Sequence, residues 1–393
     1  MVYITALGAI NSLGNSLNEI RQNLTKQYCA PHCLIEENNW LLNNKKTWVG
    51  KVKADLPKIP THLSQYSTRN NQLLYGAYLQ IQSDIDNAIL RYGDKRIAII
   101  MGTSTSGIHE GDLNLKHYLQ TNIHLPTFSY NQQELGDPSC FLTALLGLKG
   151  PSYTISTACT SSAKAIISGK RLIESGIVDA AIVGGADSLS RMPINGFNAL
   201  ESLSANPCMP FSQNRNGINI GEASAVFLLT KEETSNMVIL GTGESSDAHH
   251  ISSPHPEGLG AQKAMQAALD NARLTTNDIG YINLHGTATI LNDLAESKAV
   301  YRLFNQNLPP CSSTKHLTGH TLGSAAATEL AISTLLLDQN IYLPQQDFSV
   351  SPFDENLDKI NIVTKRMTLN IPIIMSNSFA FGGNNASLII GKI

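Results

Sequence analysis

Three segments of the chain set a reactive side chain in a local context that could use it. The first reads Gly150-Pro-Ser-Tyr-Thr-Ile-Ser-Thr-Ala-Cys159-Thr-Ser-Ser-Ala-Lys-Ala-Ile-Ile-Ser-Gly, a strand, a tight turn and a helix with Cys159 at or just before the first helical turn. Unpaired N–H groups and the dipole at a helix start favour an anion, so a lowered thiol pKa and a raised thiolate fraction are expected. An elbow of this kind, holding an exposed nucleophile, is what acyl-transfer enzymes use. The second segment, Asn283-Leu-His285-Gly-Thr287-Ala-Thr289 with Asp293 shortly after, follows the apolar run Tyr281–Leu284. That places His285 at the carboxyl end of a strand, where α/β folds put their sites. The third, Ser312-Ser-Thr-Lys315-His316-Leu-Thr-Gly319-His320-Thr-Leu-Gly323, leads into a helix that contains Glu329. Near the C-terminus, Ser376-Asn377-Ser378-Phe379-Ala-Phe381-Gly382-Gly383-Asn384-Asn385 precedes a final strand.

Taken singly, each segment has a plainer explanation. A free cysteine is ordinarily a small buried apolar residue. A histidine after a strand is more often structural, and paired glycines with asparagines usually make a turn. Lys315 alone reads as an exposed lysine, and Glu329, in a helix rich in Ala and Leu, as a carboxylate that needs a partner once buried. His109, His117, His124, His249 and His255 lack comparable surroundings and read as structural or surface residues. Cys29-Ala-Pro-His32-Cys33 offers at most three ligands in an irregular stretch, so a zinc site is rejected.

The elements that must position these residues are α/β in character. The apolar runs Val2–Ala6, Ile97–Met101, Tyr153–Ser156, Ala180–Val183, Ala225–Leu229, Val238–Leu240, Tyr281–Leu284, Ile373–Ser376 and Ser387–Ile390 read as strands. Between them, Asn70–Ile89, Ser161–Ser175, Ala261–Asn271, Asp293–Phe304 and Leu322–Leu337 read as helices, which predicts largely parallel sheets. The polar segment Lys231–Asn236 is the best internal boundary and divides the chain into residues 1–231 and 232–393. Gln27–Leu63 and Gly107–Ser139 read as irregular excursions, and loops of that length usually carry function or partner contacts.

At 393 residues the chain exceeds one ordinary domain, so two domains or two fused halves are expected. Charged residues make up 15%, well under the roughly 25% of an average soluble domain, so much of the surface is either buried or covered by another subunit. The net charge of −3, without a basic run, argues against nucleic acid or a membrane surface as partner. The N-terminus lacks a signal-peptide pattern, no apolar stretch is long enough to span a bilayer, and the six cysteines form no disulfide framework. A reducing cytoplasm is the expected compartment.

Together the segments resemble the elongating β-ketoacyl-acyl-carrier-protein synthases of the thiolase superfamily. The resemblance covers nearly the whole chain. It rests on the cysteine and histidine segments above and on Val183-Gly-Gly-Ala-Asp187, Arg215-Asn-Gly217 with Gly221-Glu, Glu244-Ser-Ser-Asp-Ala-His-His250-Ile-Ser-Ser-Pro and Asn-Ser-Phe-Ala-Phe381-Gly-Gly. It implies a five-layered αβαβα fold of two similar halves, the first carrying the nucleophile and the second both histidines. It further implies that Cys159 holds the growing acyl chain as a thioester, with the N–H groups of Cys159 and Phe381 as oxyanion hole. His285 and His320 would assist decarboxylation of a malonyl thioester, with Lys315 and Glu329 as a supporting network. Thr287 and Thr289 would grip a phosphopantetheine arm that arrives on an acyl carrier protein, no further cofactor being required. Asn283, Glu329, Ser376 and Asn377 match a monovalent-cation site of some members. Phe381 with Gly382 and Gly383 resembles a gating loop. The chemistry agrees with the residues: losing CO₂ makes a carbanion equivalent without a strong base, and neutral imidazoles can donate to the enolate oxygen.

Two positions depart from the family pattern: Asn384 stands where threonine usually follows the glycines, and Ala326 where a second glycine is usual. The pair Asn384-Asn385, the short spacer between Leu203 and Gly217 and the run Ser190-Arg-Met-Pro-Ile-Asn-Gly are most similar to the ketosynthases of bacterial aryl-polyene clusters. The family pairs through a central sheet edge, which implies either a homodimer or a heterodimer with a chain-length-factor-like homologue. The rival readings are a thiolase, an initiating synthase, a chain-length-factor-like subunit without a nucleophile, and a cysteine hydrolase of unrelated fold. A thiolase uses a second cysteine, an initiating synthase has an asparagine where His320 stands, a chain-length-factor-like subunit usually lacks the nucleophile, and a cysteine hydrolase has no need of the second histidine, Lys315 and the Phe-Gly-Gly loop together.

Overall fold

The computed structural model describes residues 1–26, 33–233, 235–337 and 341–393; the Cys29–His32 stretch lies outside them. Ten strands make up the main sheet: β1 (Val2–Ile10), β2 (Ile97–Gly102), β3 (Ser152–Ile155), β4 (Ala180–Asp187), β5 (Ala223–Thr230), β6 (Met237–Ser246), β7 (Tyr281–Asn283), β8 (Cys311–Ser312), β9 (Ile373–Phe379) and β10 (Asn384–Lys392). Their spatial order divides into β3-β2-β4-β5-β1 and β8-β7-β9-β10-β6, the same arrangement advanced by five strands. Directions repeat as well. In each half the first two pairings from the outer edge are parallel and the next two antiparallel. The halves meet where β1 pairs with β6 through only Val2↔Ile239 and Tyr3↔Val238. The sheets are therefore mixed rather than largely parallel, because β1, β5, β6 and β10 run against their neighbours.

Alternation along the strands builds five layers. In the first half Ile99, Ile182 and Leu228 face an outer core with the helices α1 (Arg69–Leu79) and α2 (Asp137–Leu146). Their sequence neighbours Ile100, Val183 and Phe227 face a middle core with α3 (Ser161–Glu174). In the second half Ile282, Met375 and Ile389 face the helices α4 (Leu259–Ala272) and α5 (Ile290–Phe304). Ile374, Leu388 and Ile390 share the middle core with α6 (Ala325–Leu336). Both sheet faces are covered, which is why these strands read as unbroken apolar runs. Close approach demands small residues: a Cβ on Gly102 would lie 2.3 Å from the Ser162 nitrogen, so glycine lets β2 come up against the first turn of α3.

Several elements differ from expectation. The strands extend past their apolar runs, β1 to Ile10, β4 to Asp187 and β6 to Ser246, because main-chain pairing continues through Gly and Ser. The helix expected over Asn70–Ile89 is two, Arg69–Leu79 and Gln82–Tyr92. The break falls at Gln80, whose side-chain amide donates to the carbonyls of Ala9 and Asn15 at 3.0 and 3.1 Å. Within Gly107–Ser139 lies a helix, Ile108–Thr121, whose leucines face outward and so give no core-facing pattern. Gln27–Leu63 supplies two short strands, Ile35–Glu37 and Thr47–Gly50, which pair with each other, and the second also pairs with Ile220–Gly221. Leu322–Ser324 is a 3₁₀ turn and α6 starts only at Ala325, while α5 starts earlier than expected, at Ile290. Among the described residues no helix is long and apolar enough to cross a membrane.

Candidate active site

Cys159 and His285, just past β3 and β7, lie together with His320, which follows the short helix Lys315–Thr318 after β8. Their ligand atoms fall within 4.8 Å of one another, and all three residues are buried. Each adjoins a residue in the left-handed region: Ala158 (φ 51°) before Cys159, Gly286 (φ 36°) after His285 and Gly319 (φ 69°) before His320. Cys159 and His285 thus sit on sharp reversals as the chain leaves β3 and β7, and His320 on one that ends the short helix Lys315–Thr318. At Ala158 that conformation is adopted by a residue with a Cβ, a strain that clusters at functional sites.

The loop of His285 is held by two carboxylates of α5. Glu296 accepts the N–H groups of His285 and Gly286 at 2.8 and 2.7 Å, and Asp293 accepts those of Phe211 and Ala288 at 2.8 and 3.2 Å. Glu296 escaped the sequence reading. The only available signal was its place in an otherwise buried stretch of helix, since it lies 11 residues beyond the histidine that it holds. Asp187, from Val183-Gly-Gly-Ala-Asp187, accepts N–H groups of Ser104, Thr105 and Ser324 at 2.8, 2.7 and 2.8 Å, tying the turn after β2 to the approach of α6. His320 is pinned by its main chain, its N–H to Asn219 O at 2.6 Å and its O to the Gly221 N–H at 2.9 Å.

His320 Nε2 lies 3.0 Å from the Cys159 sulfur, and the two imidazole rings stand edge to face, 5.4 Å apart. The Leu322 N–H donates to His320 Nδ1 at 3.2 Å, which leaves the ring proton on Nε2, facing the sulfur. Burial, helped by the Lys315 cation, holds both histidines well below the ordinary imidazole range, so both are neutral near pH 7. Lys315 is itself fully buried and bonds Glu329, whose carboxyl burial raises to about 7 against the pull of that lysine. The thiol departs from expectation. Burial pushes Cys159 up to about 11, outweighing the opposing Lys315 cation and the N–H groups of Phe381 and Cys159 that point at the sulfur. The helix start favours the thiolate, but a dry site costs an anion more than those donors return.

Two cavities meet at the sulfur. One, of about 180 Å³, is lined by Cys159, both histidines, Thr287, Thr289 and Asn216 and opens past Ile290 and Leu291. The other, of about 160 Å³, is lined by Ser104, Thr105, Met192, Pro193 and Leu322, again with Cys159. Phe197 and Phe381 line both, with ring centroids 5.4 Å apart. Thr287 and Thr289 are hydrogen-bonded to each other at 2.9 Å on the wall of the first cavity.

The remaining expected group divides. Asn283 and Ser376 are register partners on β7 and β9, and Asn283 Oδ1 and Glu329 Oε2 are buried oxygens without a hydrogen-bond partner. Those unsatisfied oxygens fit a cation. Asn377 is turned to the other face of β9, where its amide bonds Met265 and accepts from Ser387 at 2.9 Å, so its side chain is not part of that group. His124 stacks on Tyr118, and His249 lies against His255; neither these nor His109 and His117 line the two cavities.

Comparison with known proteins agrees with this geometry. Residues 1–235 match the β-ketoacyl synthase N-terminal domain and residues 237–349 the β-ketoacyl synthase C-terminal domain. The chain is 36% identical to 3-oxoacyl-[acyl-carrier-protein] synthase 2 of Staphylococcus aureus (strain COL), covering 100% of this chain and 98% of that one. Among solved structures it resembles the ketosynthase ApeO, in complex with its chain length factor ApeC, from Xenorhabdus doucetiae. There the TM-score is 0.97 and identity 52%, with 100% of this chain and 98% of that one covered. A β-ketoacyl synthase from Burkholderia phymatum STM815 matches with a TM-score of 0.87 at 25% identity, over 100% of this chain and 99% of that one. The chain belongs to the β-ketoacyl synthase family. It is a ketosynthase of the thiolase fold, an acyltransferase by class.

Proposed function

We propose that this chain is the catalytic subunit of a 3-oxoacyl-[acyl-carrier-protein] synthase that elongates an acyl chain held on Cys159 with malonyl units from a carrier protein. The observation that carries the reading is the neutral His320 Nε2–H at 3.0 Å from a buried thiol, with a second neutral imidazole beside it.

In the first half-reaction the Cys159 sulfur attacks the thioester carbonyl of the incoming acyl group. The N–H groups of Cys159 and Phe381, already aimed at the sulfur, receive the oxyanion. The bond to the carrier sulfur breaks, and the thiol proton leaves with the carrier as its restored thiol. In the second, a malonyl thioester enters by the cavity of Thr287 and Thr289, whose hydroxyls suit the amides of a phosphopantetheine arm. The bond to CO₂ breaks, and its electron pair forms an enolate whose oxygen accepts from the histidine N–H groups. Neutral donors stabilise that charge without protonating the carbon, which is why the Lys315 cation beside them matters. The enolate carbon attacks the Cys159 thioester, the carbon–sulfur bond breaks, and the departing thiolate takes a proton from solvent water. Asn283, Glu329 and Ser376 would hold a monovalent cation, which would supply a fixed positive charge to the Glu329 carboxylate.

The likeness to ApeO supports a finer reading, an aryl-polyene pathway with a chain-length-factor-like mate. Cys159 supports the catalytic rather than the shaping role in that pair. The test is reconstitution with acyl- and malonyl-carrier proteins, alone and with a co-expressed synthase-like neighbour, followed by intact-mass and product analysis. Condensed product from wild type and none from Cys159→Ala is the expected result. No acyl adduct on the wild-type cysteine overturns the function, and full elongation by this chain without a mate overturns the unlike pair.

A further inference from the structure

The cavity beside Met192 is too small for the product of repeated elongation. The pantetheine side of the sulfur is taken by the first cavity, so a growing chain has to run into the second. That space is about 160 Å³, and a cavity of about 150 Å³ takes one benzene. It seats a ring or a short acyl group, not a chain lengthened several times. Beyond it lies a third space, an open groove of about 690 Å³ along the helix Ile108–Thr121. Met192 lines both the second cavity and this groove.

We infer that Met192 is a specificity residue of this chain, a side-chain valve between a short acyl pocket and an apolar groove that receives the chain once it outgrows the pocket. The inference rests on the proposed acyl-holding role of Cys159. Four observations support it. Methionine has an unbranched side chain with several rotatable bonds, so it can swing without moving its backbone. Its helix, Arg191–Ala199, is pinned: Arg191 and Asn195 donate to Trp40 O at 3.3 and 3.0 Å, and Asn195 accepts the Leu42 N–H at 2.9 Å. The route therefore opens by rotation of one side chain rather than by displacement of the helix. Met192 is 53% exposed, so about half of its surface is free of packing. The groove walls include Leu113, Leu115 and Leu119, 49%, 55% and 75% exposed, a surface that an extended hydrocarbon would cover.

The experiment compares product lengths from the reconstituted system for wild type, Met192→Trp, Met192→Ala and Leu115→Trp, with melting temperature as the folding control. Met192→Trp is expected to load a short acyl group and condense early units, then stall, with later condensations slower by about tenfold or more, since overpacking a closed route costs that much. Met192→Ala is expected to keep or raise the late condensations. Leu115→Trp, on the exposed wall, is expected to stall at a greater length than Met192→Trp. A wild-type length distribution from both tryptophan variants, with normal loading, overturns the inference. Uniform slowing of the first and last condensations by Met192→Trp, with Leu115→Trp unaffected, overturns it too, because a valve discriminates by length. If wild type itself fails to load Cys159, it is the proposed function that fails.

Discussion

His320 presents a hydrogen to Cys159. Its Nδ1 is taken by the Leu322 N–H, so the nitrogen 3.0 Å from the sulfur is the protonated one. A catalytic dyad that deprotonates its cysteine needs the opposite tautomer, with a free lone pair toward sulfur. This pair is arranged to donate, as a site for an enolate requires, and four predictions follow from it and from the groups around it.

The free thiol titrates high. Alkylation of Cys159 by iodoacetamide is expected to rise about tenfold per pH unit from neutral pH to pH 9 and to keep rising beyond, because the neutral thiol dominates until the raised pKa near 11 is approached. A plateau near pH 7, measured by stopped-time intact mass, would show that the helix start outweighs burial.

The two histidines act after loading. His285→Ala and His320→Ala should each still take an acyl group onto Cys159, yet lose CO₂ release from malonyl-carrier protein by about 10²–10³, the usual loss for one oxyanion donor. Near-wild-type CO₂ release from both variants removes the enolate role.

Lys315 and Glu329 form a closed pair with both side chains buried. Lys315→Met leaves a buried carboxyl unpaired and should destabilise the fold by about 3–5 kcal/mol, whereas Lys315→Met with Glu329→Leu should recover much of that loss. Denaturant midpoints of the two variants decide it. Equal midpoints would mean that the ion pair is not the source.

Glu296 links pH to stability. Burial raises its carboxyl to about 7 in the folded chain, against 4.5 ordinarily. Between those values the unfolded chain releases the proton first, so the folded state binds more protons and loses stability as pH rises. The slope is at most about 1.4 kcal/mol per pH unit. Glu296→Gln should flatten the fall in melting temperature between pH 5 and pH 7. It should also lower stability at pH 5, since the amide nitrogen cannot accept the second N–H of the His285–Gly286 turn. An unchanged slope assigns the titration to other groups.

Much of the site is legible in the sequence because its members sit in segments with strong local grammar. The run into Cys159 and the strand before His285 each announce a turn at a strand end, and the glycine before His320 announces the stop of a short helix. What escapes is what local grammar does not encode. Glu296 acts from one helix turn further along, where a carboxylate reads like any other. The height of the Cys159 thiol depends on how much of the molecule closes over it, and a helix start alone points the wrong way. In the fold, apolar runs locate the strand centres. Their ends at Ile10, Asp187 and Ser246 are set by pairing with distant strands, and Gln80 breaks a helix because its amide is wanted by β1. The five-strand repeat is invisible as sequence because it conserves connection order rather than residues.

The placement of β10 has a consequence for the chain while it is being made. β10 is the last strand, yet it lies inside its half of the sheet, paired with β9 on one side and β6 on the other. The C-terminal sheet cannot close until those residues leave the ribosome. Cys159 emerges 222 residues before Phe381 (381 − 159), roughly 10–45 s at ordinary rates of synthesis. Through that interval the nascent thiol lacks the Phe381 donor, and His285 and His320 emerge only 126 and 161 residues after it (285 − 159 and 320 − 159). It is an ordinary cysteine, and it can be neither acylated by the carrier route nor turned on malonyl groups until the last strand is in place.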